Sequence, residues 1–319
     1  MSAILDSLLV FEERKSDFLL SKPQQQLLPT EKDLHFFQEH GWFVTPKVLP
    51  DALIDRIFEA SEELYDGKKD VEIEIPGCSN WQQGDQVAVR NNEYISFQKR
   101  AFRELALQPI IGAIAARLME TSTVRYFQDQ LVSKEPNHRG ISNVGWHTDR
   151  SYHSNCTSNK LLTVWIPLHD VNEEHGPLVM VDRSHKWSNT DHIRGFNHNN
   201  HQEIEANFVA QGKEFNKIPI VLKKGQISFH SSTLIHGSYQ NRTNMMRRAI
   251  VMNVQDGENC HQPYWNNGKS IHHFLDQFCR KQANGWPDYS DPAIFPVIWS
   301  EKATQVEDRS KLLPIKALS

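Results

Sequence analysis

The pair of residues with the most evident chemistry in this chain is His147 and Asp149, which are separated by one threonine. On an extended backbone, residues i and i+2 point to the same face, so this imidazole and this carboxylate converge without any long-range folding. The chain contains 16 histidines, and one such pair is therefore expected by chance. The segment indicates part of a metal site that needs a further ligand from elsewhere in the chain.

A second histidine, His236, lies in the segment Leu234-Ile235-His236-Gly237-Ser238. Two imidazoles and one carboxylate on one side of a metal leave three coordination positions open, which non-haem Fe(II) uses to bind a chelating co-substrate and dioxygen. His230 has the same strand parity as His236 and is the rival third ligand. Several other histidines are interpreted as loop or surface residues: His169, His175, His185 and the cluster at 192–201.

An iron enzyme of this kind must also hold the distal carboxylate of 2-oxoglutarate in a dry pocket. An arginine fork suits this task because it donates two parallel charge-assisted hydrogen bonds. Arg247 and Arg248 both lie on the predicted strand that follows His236. Adjacent strand residues face opposite sides, so only one of the two reaches the pocket. Periodicity does not choose between them, since both faces of that strand are apolar.

The elements that must position these groups change in character near residue 120. Helical spacing dominates before that point, and a period of two dominates after it, with Gly, Pro, Asn and Asp between the segments. Helices are predicted at about 31–40, 52–65 and 109–120. Strands are predicted at about 123–133, 161–167, 178–182, 219–222, 226–230 and 247–254. The stretch 189–216 is rich in histidine and amides and is predicted to be a long loop over an opening of the sheets.

The order and spacing of these motifs resemble the phytanoyl-CoA dioxygenase-like (PhyH) family of Fe(II)/2-oxoglutarate-dependent oxygenases over most of residues 30–255. The motifs that carry the resemblance are Trp146-His147-Thr148-Asp149, Trp165, Gly176-Pro177-Leu178, Ser184-His185, and His236-Gly237-Ser238 with Arg247. The resemblance implies the following site: metal ligands His147, Asp149 and His236, a 2-oxoglutarate anchor at Arg247, and co-substrate pocket residues Ser238 and Trp165. One departure is Asp182-Arg183, where much of the family has Pro-Gly.

The element pattern and the resemblance together predict a mainly β protein with flanking α. Its core is expected to be a double-stranded β-helix (jelly roll, cupin-like), with the N-terminal helices packed on one sheet. We expect a single catalytic domain over 1–319. Its parts are a mostly helical segment over 1–120, the β-helix core with the metal site over 121–256, and a C-terminal extension over 257–319.

The resemblance also implies an activity, the hydroxylation of a C–H bond in a small molecule such as a secondary metabolite. Fe(II), 2-oxoglutarate and dioxygen would be required, succinate and CO2 released, and ascorbate used as a reductant. Asp149 favours hydroxylation over halogenation, because related halogenases have a small residue there that admits chloride. Two alternatives remain: a cupin-like isomerase or hydrolase with another metal, and a non-catalytic sensor of 2-oxoglutarate or metal. Candidate substrate-pocket residues are Arg90, Tyr94, Phe97, Gln128, Gln130, Tyr152 and His153.

The composition of the 319-residue chain argues against several classes of partner. Its 35 basic and 39 acidic residues give a net charge of −4, which does not favour nucleic acid or an anionic membrane. No apolar stretch approaches the ~20 residues that a bilayer span needs, and no export signal is expected, because Leu8–Phe11 is the only apolar run of the N-terminal segment. The four cysteines form no CxxC pair, which is typical of reduced, mostly buried thiols. We therefore expect a cytoplasmic protein with a small-molecule substrate, and the oligomeric state stays open.

Overall fold

The computed structural model describes residues 18–73, 80–137, 142–198, 200–266 and 268–301. The α-helices within these ranges are α1 Lys22–Gln25, α2 Glu31–His40, α3 Asp51–Tyr65, α4 Arg100–Ala106, α5 Pro109–Met119 and α6 His201–Ala210. Short 3-10 helices lie at Ile95–Phe97, Asp149–Tyr152, Glu173–His175, Ser184–Lys186 and Phe274–Gln277. None of the helices in the described ranges combines the length and the apolar character that crossing a bilayer requires.

The strands form two main sheets and one small hairpin. Their bounds are β1 Trp42–Val44, β2 Val89–Glu93, β3 Thr123–Lys134, β4 Val144–His147, β5 Leu161–Pro167, β6 Leu178–Val181, β7 Lys217–Pro219, β8 Ser228–Ser231, β9 His236–Ser238, β10 Arg247–Asp256, β11 Tyr264–Asn266, β12 Lys269–Ile271 and β13 Val297–Ser300. The large sheet has the order β1-β8-β5-β10-β3-β13, and β2 also pairs with β3. The small sheet has the order β4-β9-β6-β7, and β11 pairs with β12.

The path of the chain between the sheets confirms the predicted fold class. From β3 to β10 the strands belong in turn to the large, small, large, small, small, large, small and large sheet, and every pairing among them is antiparallel. This alternation is the arrangement of an eight-stranded jelly roll. It places β4 and β9 side by side in the small sheet, while β10 lies at the centre of the large one.

The N-terminal helices pack on one face of the large sheet. Thr30 caps α2 through a capping box with Asp33, and Gly41 ends it in the left-handed conformation at φ 80°. Helix α5 begins with Pro109 and is apolar almost all round, so it is buried between the sheet and its helical neighbours. Each fully buried isoleucine in such a helix contributes roughly 1.5–3 kcal/mol. The helices therefore stabilise the sheet face that points away from the small sheet.

Within the N-terminal part, predicted to be mostly helical, the short strands β1 and β2 also join the large sheet. Two details of the predicted organisation need correction. The strand predicted at 219–222 lies earlier, at β7, which overlaps the predicted range only at Pro219, and beyond it Leu222 forms an isolated antiparallel bridge with Val171. The predicted loop at 189–216 contains α6, and His201 at its start is buried between Trp146 and Tyr239 instead of lying at the surface.

The cysteines of the described ranges are all free thiols. Cys156 and Cys279 are buried, and Cys260 is exposed. Burial raises the pKa of the Cys156 thiol to about 12, so this side chain is an unreactive thiol at neutral pH. The fourth cysteine, Cys78, lies outside the described residues.

Candidate active site

Three side chains predicted as metal ligands meet at the edge of the small sheet. His147 ends β4 and pairs in register with His236 at the start of β9, while Asp149 follows the extended residue Thr148. Asp149 Oδ1 lies 3.8 Å from His147 Nε2 and 3.7 Å from His236 Nε2. The three ligand atoms all lie within 4.8 Å of one another. The strand pairing therefore brings together two histidines that are distant in the sequence.

Hydrogen bonds on the far side of each ring set the tautomer of the two imidazoles. His147 Nδ1 donates to the carbonyl of Gly145 at 2.8 Å, and His236 Nδ1 donates to the carbonyl of Leu234 at 3.0 Å. Because a carbonyl oxygen only accepts, the proton of each neutral ring lies on Nδ1 and the Nε2 lone pair faces Asp149. Burial lowers the pKa of both histidines to about 4. Both rings are therefore neutral at physiological pH.

The carboxylate of Asp149 has different surroundings at its two oxygens. Oδ2 accepts a short hydrogen bond from the hydroxyl of Thr163, and His230 Nε2 lies 3.3 Å from the same oxygen. Oδ1 faces His147 and His236. Burial on its own would raise the pKa of Asp149, but the neighbouring His236 and His230 outweigh it and hold that pKa well below its usual range. His230 thus lies behind the carboxylate, outside the converging set of three.

A close backbone approach explains the glycine two residues before His147. A Cβ atom on Gly145 would lie 2.0 Å from the carbonyl oxygen of His198 and 2.4 Å from that of Gly195. The segment that follows β6 therefore packs directly against β4. This packing places the ring of Phe196 5.5 Å from the ring of His147, at the mouth of the site.

Arg247 supplies a buried cation to the same cavity. Its side chain is only 2% exposed, its guanidinium lies 5.6 Å from the ring centroid of Trp165, and its Nη1 donates a long hydrogen bond of 3.4 Å to the carbonyl of Val132. Its Nε has no partner, and none of the ion pairs among the described residues involves this arginine. Burial lowers its pKa to about 10, which leaves it charged at neutral pH. An uncompensated buried charge is costly, so the arrangement fits an anionic ligand.

Arg248 lies outside the cavity. Its Nη1 donates to Ser61 Oγ at 3.0 Å and forms an ion pair with Glu62 on helix α3. The alternation of side chains along β10 therefore sends one arginine into the site and the other into the helical layer.

The metal-ligand cluster and Arg247 line one cavity of about 310 Å³ between the two sheets, as do the predicted residues Ser238 and Trp165. Five of the seven candidate substrate-pocket residues also line it: Tyr94, Gln128, Gln130, Tyr152 and His153. The other two do not. Arg90 pairs with Glu135 and stacks on Trp81, and Phe97 packs in the core beside Tyr126.

His273 lines the cavity but is not among the residues predicted from the sequence. It lies in the C-terminal segment, beyond every motif quoted above, so no local pattern distinguishes it from the other histidines. A second cavity of about 650 Å³ shares Tyr94, Tyr152 and His273 with the first and is walled mainly by residues 271–287. The C-terminal segment therefore forms the outer wall of the site.

Comparison with known proteins agrees with this fold. The model of the phytanoyl-CoA dioxygenase (PhyH) family matches residues 37–249, and the chain belongs to that family. Its relatives include the peroxisomal phytanoyl-CoA dioxygenases of Homo sapiens and Bos taurus. Each is 24% identical, over 243 and 244 residues respectively, which is 71% of this chain and 68% of the relative.

Proteins of known structure with the same fold include enzymes named for different reactions. The carbocyclase SnoK from nogalamycin biosynthesis has a TM-score of 0.64 and 21% identity, over 84% of this chain and 96% of that one. The epimerase SnoN, solved with Fe3+, alpha ketoglutarate and nogalamycin RO, has a TM-score of 0.61 and 21% identity, over 84% and 98%. EctD from S. alaskensis, solved with 2-oxoglutarate and 5-hydroxyectoine, has a TM-score of 0.61 and 17% identity, over 82% and 86%.

Proposed function

We propose that this protein is an Fe(II)/2-oxoglutarate-dependent dioxygenase that hydroxylates a C–H bond of a small molecule and releases succinate and CO2. The observation that carries the proposal is that one buried cavity contains both the His147, Asp149 and His236 cluster and the uncompensated cation of Arg247. A metal site alone has no use for a buried arginine without a partner. A site for a metal and a dicarboxylate needs both.

The ligand set fits ferrous iron. Two neutral imidazoles with Nε2 lone pairs facing inward and one anionic oxygen form the facial arrangement of non-haem iron oxygenases. His147, Asp149 and His236 would hold the metal. Arg247 would hold the distal carboxylate of 2-oxoglutarate, with Trp165 and Ser238 as neighbouring walls. The bound iron and 2-oxoglutarate supply the oxidising chemistry with dioxygen, and ascorbate keeps the iron ferrous.

The protein's own contribution is placement and exclusion of water. Phe196 and Tyr152 lie with ring centroids 5.5 and 6.1 Å from that of His147, so aromatic rings cover the open side of the cluster. The carbonyls of Gly145 and Leu234 hold the two imidazoles in one orientation. Such preorganisation means that little side-chain movement is needed when the ligands arrive.

The lining of the two cavities disfavours a substrate with several negative charges. Among the described lining residues the only lysine or arginine apart from Arg247 is Lys281, at the outer cavity. The substrate named for the mammalian relatives is a CoA ester, which carries several phosphates and would need more cations. Amide and aromatic side chains instead offer hydrogen bonds and apolar contact to a small neutral molecule. This supports a free small molecule, such as a secondary metabolite, as the substrate.

The test is succinate formation by anaerobically purified protein supplied with Fe(II), ascorbate, 2-oxoglutarate, air and candidate substrates. We expect wild type and the Arg248→Ala control to form succinate, Asp149→Ala to form none, and Arg247→Ala to form far less at the same 2-oxoglutarate concentration. Hydroxylation adds one oxygen atom from labelled dioxygen to the product, whereas the ring closure or epimerisation named for SnoK and SnoN does not leave that label. Equal succinate from Asp149→Ala and wild type would disprove the proposal.

The two alternative functions give different results in the same assay. A cupin-like isomerase or hydrolase with Zn or Mn converts substrate without 2-oxoglutarate and tolerates Arg247→Ala. A non-catalytic sensor binds 2-oxoglutarate or metal but forms no succinate with any substrate. We further propose that the chain works as one catalytic domain in the cytosol, supported by the pairing of β2 and β13 with the core strand β3 and by the free thiols.

A further inference from the structure

A continuous row of side-chain hydrogen bonds joins the C-terminal segment to the carboxylate of Asp149. His273 Nε2 lies 2.6 Å from Gln128 Oε1, Gln128 Nε2 lies 2.9 Å from Asn253 Oδ1, and Asn253 Nδ2 lies 2.8 Å from Thr163 Oγ1. The hydroxyl of Thr163 then makes the short bond to Asp149 Oδ2. We call these four side chains, His273, Gln128, Asn253 and Thr163, the relay.

The direction of every bond in the relay is determined by its two ends. At one end the backbone N–H of Leu275 donates to His273 Nδ1 at 3.3 Å, so the ring proton must lie on Nε2, which donates to Gln128. At the other end the ionised Asp149 can only accept. Burial lowers the pKa of His273 to about 3, which keeps the ring neutral. The relay therefore donates in one direction, toward the carboxylate.

The relay crosses the interior face of the large sheet. Asn253 of β10 pairs in register with Thr163 of β5 on one side and with Gln128 of β3 on the other. Their side chains are only 5%, 2% and 8% exposed. Buried polar groups are retained only when they are paired, and apolar residues would fill this face at lower cost. A row of three polar residues on adjacent central strands therefore calls for a role beyond packing.

That role follows from what the relay does at Asp149. Thr163 occupies Oδ2 as a donor and His230 lies beside the same oxygen, so only Oδ1 remains for a metal at the two Nε2 atoms. A carboxylate free to rotate can bind through both oxygens and fill a further coordination position. Holding it to one oxygen keeps three positions open for 2-oxoglutarate and dioxygen.

We propose that His273, Gln128, Asn253 and Thr163 are positioning residues that hold Asp149 as a ligand through one oxygen, and that His273 thereby makes the C-terminal segment a working part of the active site. Asn253 and His273 both lie beyond the family match at 37–249. The inference rests on the proposed function for the identity of the metal and co-substrate. It adds residues that determine the geometry of the site without touching the metal.

The test is the affinity of the metal-free full chain for Mn(II), measured by titration calorimetry in the presence of 2-oxoglutarate. We expect Thr163→Val and His273→Phe each to weaken Mn(II) binding about tenfold. The double variant should also be about tenfold weaker, and not about a hundredfold, because either change alone breaks the same relay. His273→Gln should restore near wild-type affinity, since its amide can donate from the position of Nε2. The neighbouring exposed His272→Phe is the matched control and should bind like wild type.

Additive losses in the double variant, or a His273→Gln variant as weak as His273→Phe, would overturn the relay. If His273→Phe does not fold, Gln128→Met replaces it in the comparison of single and double variants, because it breaks the relay with a side chain of nearly the same volume. The Mn(II) measurement does not depend on turnover. Non-additive losses of Mn(II) affinity in a protein that forms no succinate would support the relay and reject the proposed function. Additive losses in a protein that does form succinate would reject the relay and support the proposed function.

Discussion

Arg247 and Arg248 are adjacent in strand β10 but their guanidinium groups lie on opposite faces of the large sheet. The first points into the cavity between the sheets beside Trp165, and the second reaches Ser61 and Glu62 on helix α3. Arg247 thus lies in the candidate binding cavity, whereas Arg248 links the large sheet to a helix. The pair offers a matched comparison in which the substitution is the same and only the face differs.

We predict that Arg247→Ala raises the KM for 2-oxoglutarate by roughly a hundredfold or more, because two charge-assisted hydrogen bonds are lost. The KM of Arg247→Lys should lie between those of wild type and Arg247→Ala, since lysine keeps the positive charge but lacks the planar guanidinium that donates two parallel hydrogen bonds. Arg248→Ala should leave this KM unchanged and lower the free energy of unfolding instead. Steady-state kinetics with 2-oxoglutarate as the varied reactant, together with urea unfolding, tests both halves. A larger KM effect from Arg248→Ala would contradict the assignment.

Arg247 should also destabilise the protein when no co-substrate is present. Removing an uncompensated buried cation relieves its desolvation, so Arg247→Met is expected to unfold at a higher temperature than wild type without ligands. Adding 2-oxoglutarate with Mn(II) should then raise the Tm of wild type and have little further effect on the variant. Calorimetry with and without 2-oxoglutarate measures this. An equal rise in both proteins would mean that the dicarboxylate binds elsewhere.

Substitution of His236 should weaken metal binding far more than substitution of His230. His236→Ala removes a direct ligand and is expected to abolish measurable Mn(II) binding. His230→Gln removes a group that faces Asp149 Oδ2 and is expected to weaken binding only about tenfold. Calorimetric titration of both variants with Mn(II) under one set of conditions shows which histidine is the direct ligand. The reverse order of effects would make His230 the third ligand.

The stability of the metal-free protein should fall as the pH is lowered from about 6.5 to 4. Burial lowers the pKa of His153 to about 4 and that of His273 to about 3, whereas an unfolded histidine titrates near 6.5. In that window the unfolded chain binds more protons than the native one, so acid favours unfolding by about 1.4 kcal/mol per pH unit for each such group. His273→Gln should therefore show a shallower slope of the unfolding free energy against pH, measured by urea unfolding across this window. Equal slopes for wild type and His273→Gln would refute the lowered pKa of His273.

Arg183 occupies a strained backbone position that glycine would relieve. Its φ is 63°, in the left-handed region, which glycine adopts at lower cost than other residues. We predict that Arg183→Gly raises the free energy of unfolding by about 0.5–1 kcal/mol without a change in activity, because the exposed pair with Glu39 at 3.4 Å contributes little. Arg183→Ala loses the same pair but keeps the strain, and should not be stabilised. A stabilised alanine variant would show that the side chain, and not the backbone, is the cause.

Local patterns were sufficient for much of the fold and for the three converging residues. Helices α2, α3 and α5 and strands β3, β5 and β10 all lie close to their predicted bounds, because their periodicity and caps act over a few residues. His147 and Asp149 could be paired from the i, i+2 rule alone. Strands β4 and β9, of four and three residues, were not among the predicted strands, since segments this short have too few alternations to recognise.

What the amino-acid order alone determined is the set of groups available and the local geometry that joins His147 to Asp149, because both depend on neighbours along the chain. Tertiary structure decided which arginine enters the cavity, on which side of Asp149 His230 lies, and that His273 completes a relay through three strands. Those outcomes depend on how strands far apart in sequence pair and on which face each packs. No window of sequence contains that information, since cross-strand register is set by contacts over the whole sheet.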